Sequence, residues 1–173
     1  MGREYIDHAG YTVPNLEQAI AFFTQVLGCE LLYQAGPYTE PKPNWMETHL
    51  GASPNGEVRL AVLRCGAANN IELVEFKAPS QITAPPKVSD AGGRHLAFCV
   101  GDMNTAIAYL KAQSDVKVLE SIIHADDEGG EEAGIVSTYF VTPWGMHVEL
   151  ITRPEQAPFE KRTSARLFRP ASA

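Results

Sequence analysis

The sequence predicts an α+β protein made of two tandem βαβββ modules, on three observations. The stretch "DHAGYTVPNLEQAIAFF" at residues 7–23 returns in altered form as "RHLAFCVGDMNTAIAYL" at residues 94–110. A shift of 87 residues places His8 on His95, Val13 on Val100 and the "AIA" at 19–21 on the "AIA" at 106–108. In both copies a strand, a helix and further strands follow in the same order. A repeat of this length reads as duplication of one supersecondary module, not as a solenoid, which needs several short copies. Strand sets joined by helices on one side define the α+β class.

The first module spans residues 5–77. It opens with a strand near residues 5–13, and Pro14-Asn15 supplies turn and N-cap chemistry for a helix over 16–27. Leu16, Ala19, Ile20, Phe23 and Leu27 recur at helical spacing, and Gly28 takes the position after a helix end. A second strand covers 29–35. A Pro/Gly/Asn-rich insertion follows at 36–56, with a short helical pattern at 44–50. Strands at 57–65 and 70–76 complete the module, and a linker runs over 78–93.

The second module spans 94–152. Strand 94–100 leads through Gly101-Asp102 into a helix over 103–113, with Met103, Ala106, Ile107 and Leu110 on one face. Strands at 116–120, 134–142 and 146–152 follow. The acidic, glycine-rich stretch 124–134 fits either a mobile lid or a plain solvated loop. Residues 153–173 are proline-bearing and locally basic, and read as a solvated tail, with Phe159, Leu167 and Phe168 leaving room for packing.

Composition narrows the function. With 173 residues, 45% of them hydrophobic and 20% charged, the chain has the make-up of an ordinary globular protein. A net charge of −7 argues against nucleic-acid binding, because phosphates would be repelled. No apolar run approaches the roughly 20 residues that cross a bilayer, and "MGREYIDHAG" lacks the layout of a secretory signal. Cys29, Cys65 and Cys99 are odd in number with no C-x-x-C, which favours reduced thiols and a cytoplasmic location.

The chemistry lies in four residues. Side chains alternate along a strand, so in "NIELVEF" Glu72, Val74 and Phe76 share one face while Ile71, Leu73 and Glu75 share the other. In "MHVELIT" His147, Glu149 and Ile151 share a face, and in "RHLAFCV" His95, Ala97 and Cys99 do. His8 and Gly10 take the equivalent places on the first strand. A carboxylate amid such apolar neighbours is costly to desolvate unless something positive meets it. Arg59 or Arg94 could do so, and a lone histidine on an apolar strand is more often a core residue than a ligand. Four candidates at matching points of a duplicated module favour a shared divalent cation held by His8, Glu72, His95 and Glu149. Mixed imidazole and carboxylate ligands suit Zn, Ni, Co, Mn or Fe(II).

These residues and their setting resemble the vicinal oxygen chelate superfamily, which includes glyoxalase I, methylmalonyl-CoA epimerase, extradiol dioxygenases and bleomycin-type resistance proteins. "TPWGMHVELI" is similar to the glyoxalase-type ending in which a Pro-x-Gly turn leads to a glutamate ligand. The resemblance covers roughly residues 6–152. It implies a curled, half-open mixed sheet around a metal site, with His8, Glu72, His95 and Glu149 as ligands, and by analogy a homodimer. The fold supports many chemistries.

The resemblance implies a metal-dependent isomerase, epimerase or lyase, moving a proton through a metal-stabilised enediolate of a small hydroxycarbonyl, keto-acid or sugar-like substrate. Glu149 or Glu72 would serve as ligand and base, and His147 as a proton shuttle or a hydrogen-bond partner. No phosphate-binding cluster supports a CoA thioester. Tyr38, Trp45, Glu47 and His49 of the insertion are candidates to cover the site. Two other functions compete: Fe(II)-dependent ring cleavage of a catechol, which normally uses two histidines and one carboxylate, and metal-free sequestration of an antibiotic, whose relatives lack the ligand set.

Overall fold

Both α-helices that follow a module's first strand start on one device. The Asn15 side chain accepts from the Gln18 N–H at 2.8 Å, and the Asp102 side chain accepts from the Thr105 N–H at 2.6 Å. Each satisfies a backbone donor that the first turn leaves open. In the computed structural model, which describes residues 6–120, 122–125 and 130–167, the chain divides into two units on either side of the Thr83–Ala84 junction.

The first unit is a four-stranded mixed sheet in the order β1-β4-β3-β2, formed by β1 (Ala9–Thr12), β2 (Glu30–Thr39), β3 (Glu57–Cys65) and β4 (Asn69–Lys77). β1 runs parallel to β4, and the other pairs are antiparallel. The expected strand near residue 5 begins outside the described residues. Helix α1 (Leu16–Ala21) buries Leu16 and Ala19. The helix expected to run on to residue 27 instead changes to a π-helical turn, Phe22–Val26. Thr24 explains the change locally: its hydroxyl donates to the Ile20 carbonyl at 2.8 Å and competes with the regular ladder. The widened turn lets Phe22 and Phe23 both enter the core.

β2 extends beyond its expected end at Ala35. Gly36-Pro37 signals a strand end, yet the structure absorbs it in a bulge between the Ala35 and Tyr38 pairings. Gly36 adopts φ +96°, where an added Cβ would sit 2.7 Å from the Val58 carbonyl oxygen, so glycine fits there. Pro37 is tolerated because β2 is an edge strand. A short helix α2 (Trp45–Leu50) follows and buries Met46.

The pairing of β2 with β3 also overturns the expectation of three reduced thiols. Glu30 stands opposite Arg64, which brings Cys29 and Cys65 together at the end of the ladder with Cα atoms 4.4 Å apart, and they form a disulfide. Cys99 is free and exposed. The cytoplasmic expectation rested on reduced cysteines and loses that support. Among the described residues no helix is long and apolar enough to cross a membrane.

The second unit repeats the plan with the order β5-β9-β8-β6, formed by β5 (His95–Cys99), β6 (Lys117–Val118), β8 (Val136–Val141) and β9 (His147–Thr152). β7 (Ile123–His124) pairs with β8 beyond β6, so the two short strands together occupy the place that β2 fills in the first unit. β5 runs parallel to β9, as β1 does to β4. Helix α3 (Met103–Lys111) buries Met103 and Leu110, and Phe140 and Val148 are fully buried beneath it in the sheet. The two units are thus mixed α+β layers of the same order, with open sheets, in line with the predicted class.

The stretch 124–134 is anchored at its ends. Ala125 N–H donates to the Ile135 carbonyl at 3.0 Å and Gly134 N–H to the Ala125 carbonyl at 3.2 Å; residues 126–129 lie outside the described residues. The tail differs from a purely solvated one. Pro158–Lys161 forms a 3-10 turn, Ala157 is buried, and the Glu160 carboxylate accepts from the Ala157 N–H at 3.2 Å. Arg162 pairs with Glu131.

Candidate metal centre

Strand alternation sorts the two carboxylates of "IELVE" by chemistry. Ile71, Leu73 and Glu75 are buried on one face of β4, while Glu72, Val74 and Phe76 are half-buried on the other. Glu75 meets Arg59 Nη1 at 3.5 Å and Lys77 Nζ at 3.8 Å, and Arg59 also pairs with Glu17 of α1. Burial of that carboxylate is therefore offset by cations. Arg59 thus pairs with Glu75, and Glu72 faces the other way.

Glu72 meets His8 instead. In the parallel β1–β4 register Glu72 lies opposite Gly10, so its side chain passes a residue without a Cβ and reaches the histidine two positions back. His8 Nε2 is 3.5 Å from Glu72 Oε2. The second unit repeats this. Glu149 lies opposite Ala97, another small residue, and its Oε2 is 3.3 Å from His95 Nε2. The glutamates are largely covered, with side-chain exposures of 23% and 12%, and the histidines are more open at 37% and 39%. Among the described residues no group of three or more His, Cys, Asp or Glu side chains is gathered as a metal site; each unit presents a pair.

The donor set fits a divalent ion. Such ions hold imidazole nitrogen and carboxylate oxygen at about 2.1 Å, so two neighbouring ligands of one ion stand about 3.0–3.4 Å apart. The 3.3 Å gap of the second unit lies within that spacing, and the 3.5 Å gap of the first lies just beyond it. They exceed the roughly 2.7–2.9 Å of a tight charge-assisted hydrogen bond. Nitrogen and carboxylate oxygen together suit first-row divalent metals.

His147 stands opposite His95 in the β5–β9 register and is half-buried. The residue at the same place in the first unit, two before the glutamate, is Asn70, whose side-chain amide donates to the Asp7 carbonyl at 3.0 Å.

Two neighbours escaped the sequence reading. Asp7 Oδ2 is 2.7 Å from His8 Nδ1. This contact holds the His8 imidazole above its ordinary pKa, against the opposing effect of burial and with help from the Glu72 charge. Tyr139 lies opposite Glu149 in the β8–β9 ladder. Its side chain shares a sheet face with Glu149, and its ring meets the His95 ring edge-on, centroids 5.5 Å apart. Burial, followed by the Glu149 charge and hydrogen bonding toward that carboxylate, pushes the phenol pKa up. The acidic residue directly before His8 was a visible signal. Tyr139 could be found only by counting back across the Pro143–Gly145 turn.

Comparison with known proteins agrees with this architecture. The family model described as the glyoxalase/bleomycin resistance protein/dioxygenase superfamily matches residues 7–133. The chain belongs to that superfamily, the one its sequence resembles. A 2-epi-5-epi-valiolone epimerase from Actinomyces sp. is 43% identical over 169 residues, covering 98% of this chain and 90% of the relative. Among solved structures, a glyoxalase family protein from Bacillus cereus superposes with a TM-score of 0.67 at 18% identity, over 88% of this chain and 96% of that one. The fosfomycin resistance protein FosX from Listeria monocytogenes, solved with Mn(II) and sulfate, gives 0.51 at 14% identity, over 91% and 99%. At those identities the likeness concerns the fold alone.

Proposed function

We propose that this protein is an epimerase of a small hydroxyketone of the 2-epi-5-epi-valiolone kind, and that its two His–Glu pairs hold one divalent cation. The observation that carries the reading is the recurrence of one arrangement in both units. In each unit a glutamate on one strand meets a histidine at the start of the parallel neighbour, His8 just before β1 and His95 opening β5, 3.5 and 3.3 Å apart. The 43% identity to an epimerase over nearly the whole chain supports the reaction class.

Inverting a carbon beside a carbonyl requires a proton to leave one face and another to arrive on the opposite face. His8 and His95 offer neutral nitrogen donors that keep a cation in place. Such a cation, when bound, stabilises negative charge on the carbonyl oxygen by several kcal/mol. Glu149 and Glu72 are the candidates to take the proton and return it, because each is a carboxylate on the half-buried face of its sheet. His147, in register with His95, is a candidate to relay a proton to solvent or to hydrogen-bond a ligand.

The test is incubation of metal-loaded protein with 2-epi-5-epi-valiolone in D₂O. The reading expects deuterium at the carbon beside the ketone together with the epimerised product, both lost on chelation. Retention of the original proton and configuration by the loaded protein would contradict it.

A further inference from the structure

The two units share a ligand pair and differ in what stands behind it. Opposite Glu72 in the β3–β4 ladder is Val62; opposite Glu149 in the β8–β9 ladder is Tyr139. Valine has no donor, whereas the tyrosine hydroxyl has one. Tyr139 stands beside both members of its pair, opposite Glu149 in the ladder and with its ring against His95 at 5.5 Å and 74° between planes. A carboxylate on a strand has free χ angles, so one oxygen directed at His95 Nε2 leaves the other to wander. A phenol donating from the neighbouring strand removes that freedom. The lower exposure of the Glu149 side chain, 12% against 23% for Glu72, accords with a more firmly held group.

We propose that Tyr139 is a positioning residue, fixing the Glu149 carboxylate against His95 so that the second unit's pair is the firmly held one. The inference rests on the reading of the two pairs as a cation site. In this arrangement Glu149 is the carboxylate that stays in place, and Glu72, across from Val62, is the one that can swing. An outer partner of this type orients a ligand before the ion arrives, and its loss commonly weakens binding about 10–100-fold.

Tyr139→Phe is the direct test, since it keeps the ring beside His95 and removes only the hydroxyl. Co²⁺ or Zn²⁺ would be titrated into metal-free wild type and variant against a chromophoric chelator, with the thermal midpoint of each metal-free protein recorded. The expected result is affinity about tenfold lower or weaker still, with the midpoint of the metal-free protein unchanged. At saturating metal, kcat should fall while KM stays the same. Unchanged affinity would overturn the proposal, as would an affinity loss matched by a general loss of stability in the metal-free protein. Wild-type protein that takes up neither ion would overturn the cation reading itself, an outcome distinct from either of these.

Discussion

Asp7 Oδ2 lies 2.7 Å from His8 Nδ1, across the ring from the Nε2 that faces Glu72. A carboxylate there selects the form of the imidazole with its proton on Nδ1 and leaves Nε2 free to donate to a metal. The position before His95 carries Arg94 instead, so this device belongs to the first unit, as the Tyr139 contact belongs to the second.

Asp7→Asn should therefore change the titration of His8. In metal-free protein, an NMR titration is expected to find the wild-type imidazole above the ordinary value of about 6.5 and the variant closer to it. A raised folded value means the contact adds stability that is fully present below about pH 6.5 and is lost as pH rises through the folded value. The variant should lack this pH-dependent increment. Its affinity for Co²⁺ or Zn²⁺ should also fall, by about tenfold or more.

Glu149→Gln removes the carboxylate but keeps its shape. The variant should remain folded by circular dichroism and fail to place deuterium in the substrate. Full exchange in the variant would take Glu149 out of the reaction.

The disulfide gives a prediction about stability alone. Cys29 and Cys65 close a chain segment of 36 residues. Reduction should lower the unfolding free energy by about 2–4 kcal/mol, measured by denaturant titration with and without reductant. Because the bond joins β2 to β3 at the ladder end opposite their Thr39–Glu57 pairing, the reduced protein should keep its strand content.

Asn15→Ala should cost about 1 kcal/mol, through loss of the cap on Gln18 N–H that starts α1. Chemical denaturation would show it as a lower midpoint with an unchanged slope.

The legible parts of this molecule are those governed by period. Alternation alone put Glu72 and Glu75 on opposite faces of β4, and the structure buries Glu75 against Arg59 while Glu72 meets His8. The repeat alone matched His8 to His95. What stayed hidden depends on which strands pair and in what register, which local pattern does not encode. Cys29 and Cys65 meet only because β2 lies beside β3, and Tyr139 reaches Glu149 only because of the register set across the Pro143–Gly145 turn. Gly36-Pro37 carried a strong local signal for a strand end, and edge-strand pairing overrode it. The π-helical turn after Ala21 reflects a side-chain hydroxyl competing for carbonyls, which apolar spacing cannot reveal.

The most direct test of the shared cation is elemental analysis of protein purified without added metal, repeated on His8→Ala and His95→Ala. The proposal that both pairs hold one cation predicts a single equivalent per chain, lost from either variant. Two equivalents, or an equivalent that survives one substitution and disappears only with the other, would show that the pairs act separately and would contradict the account.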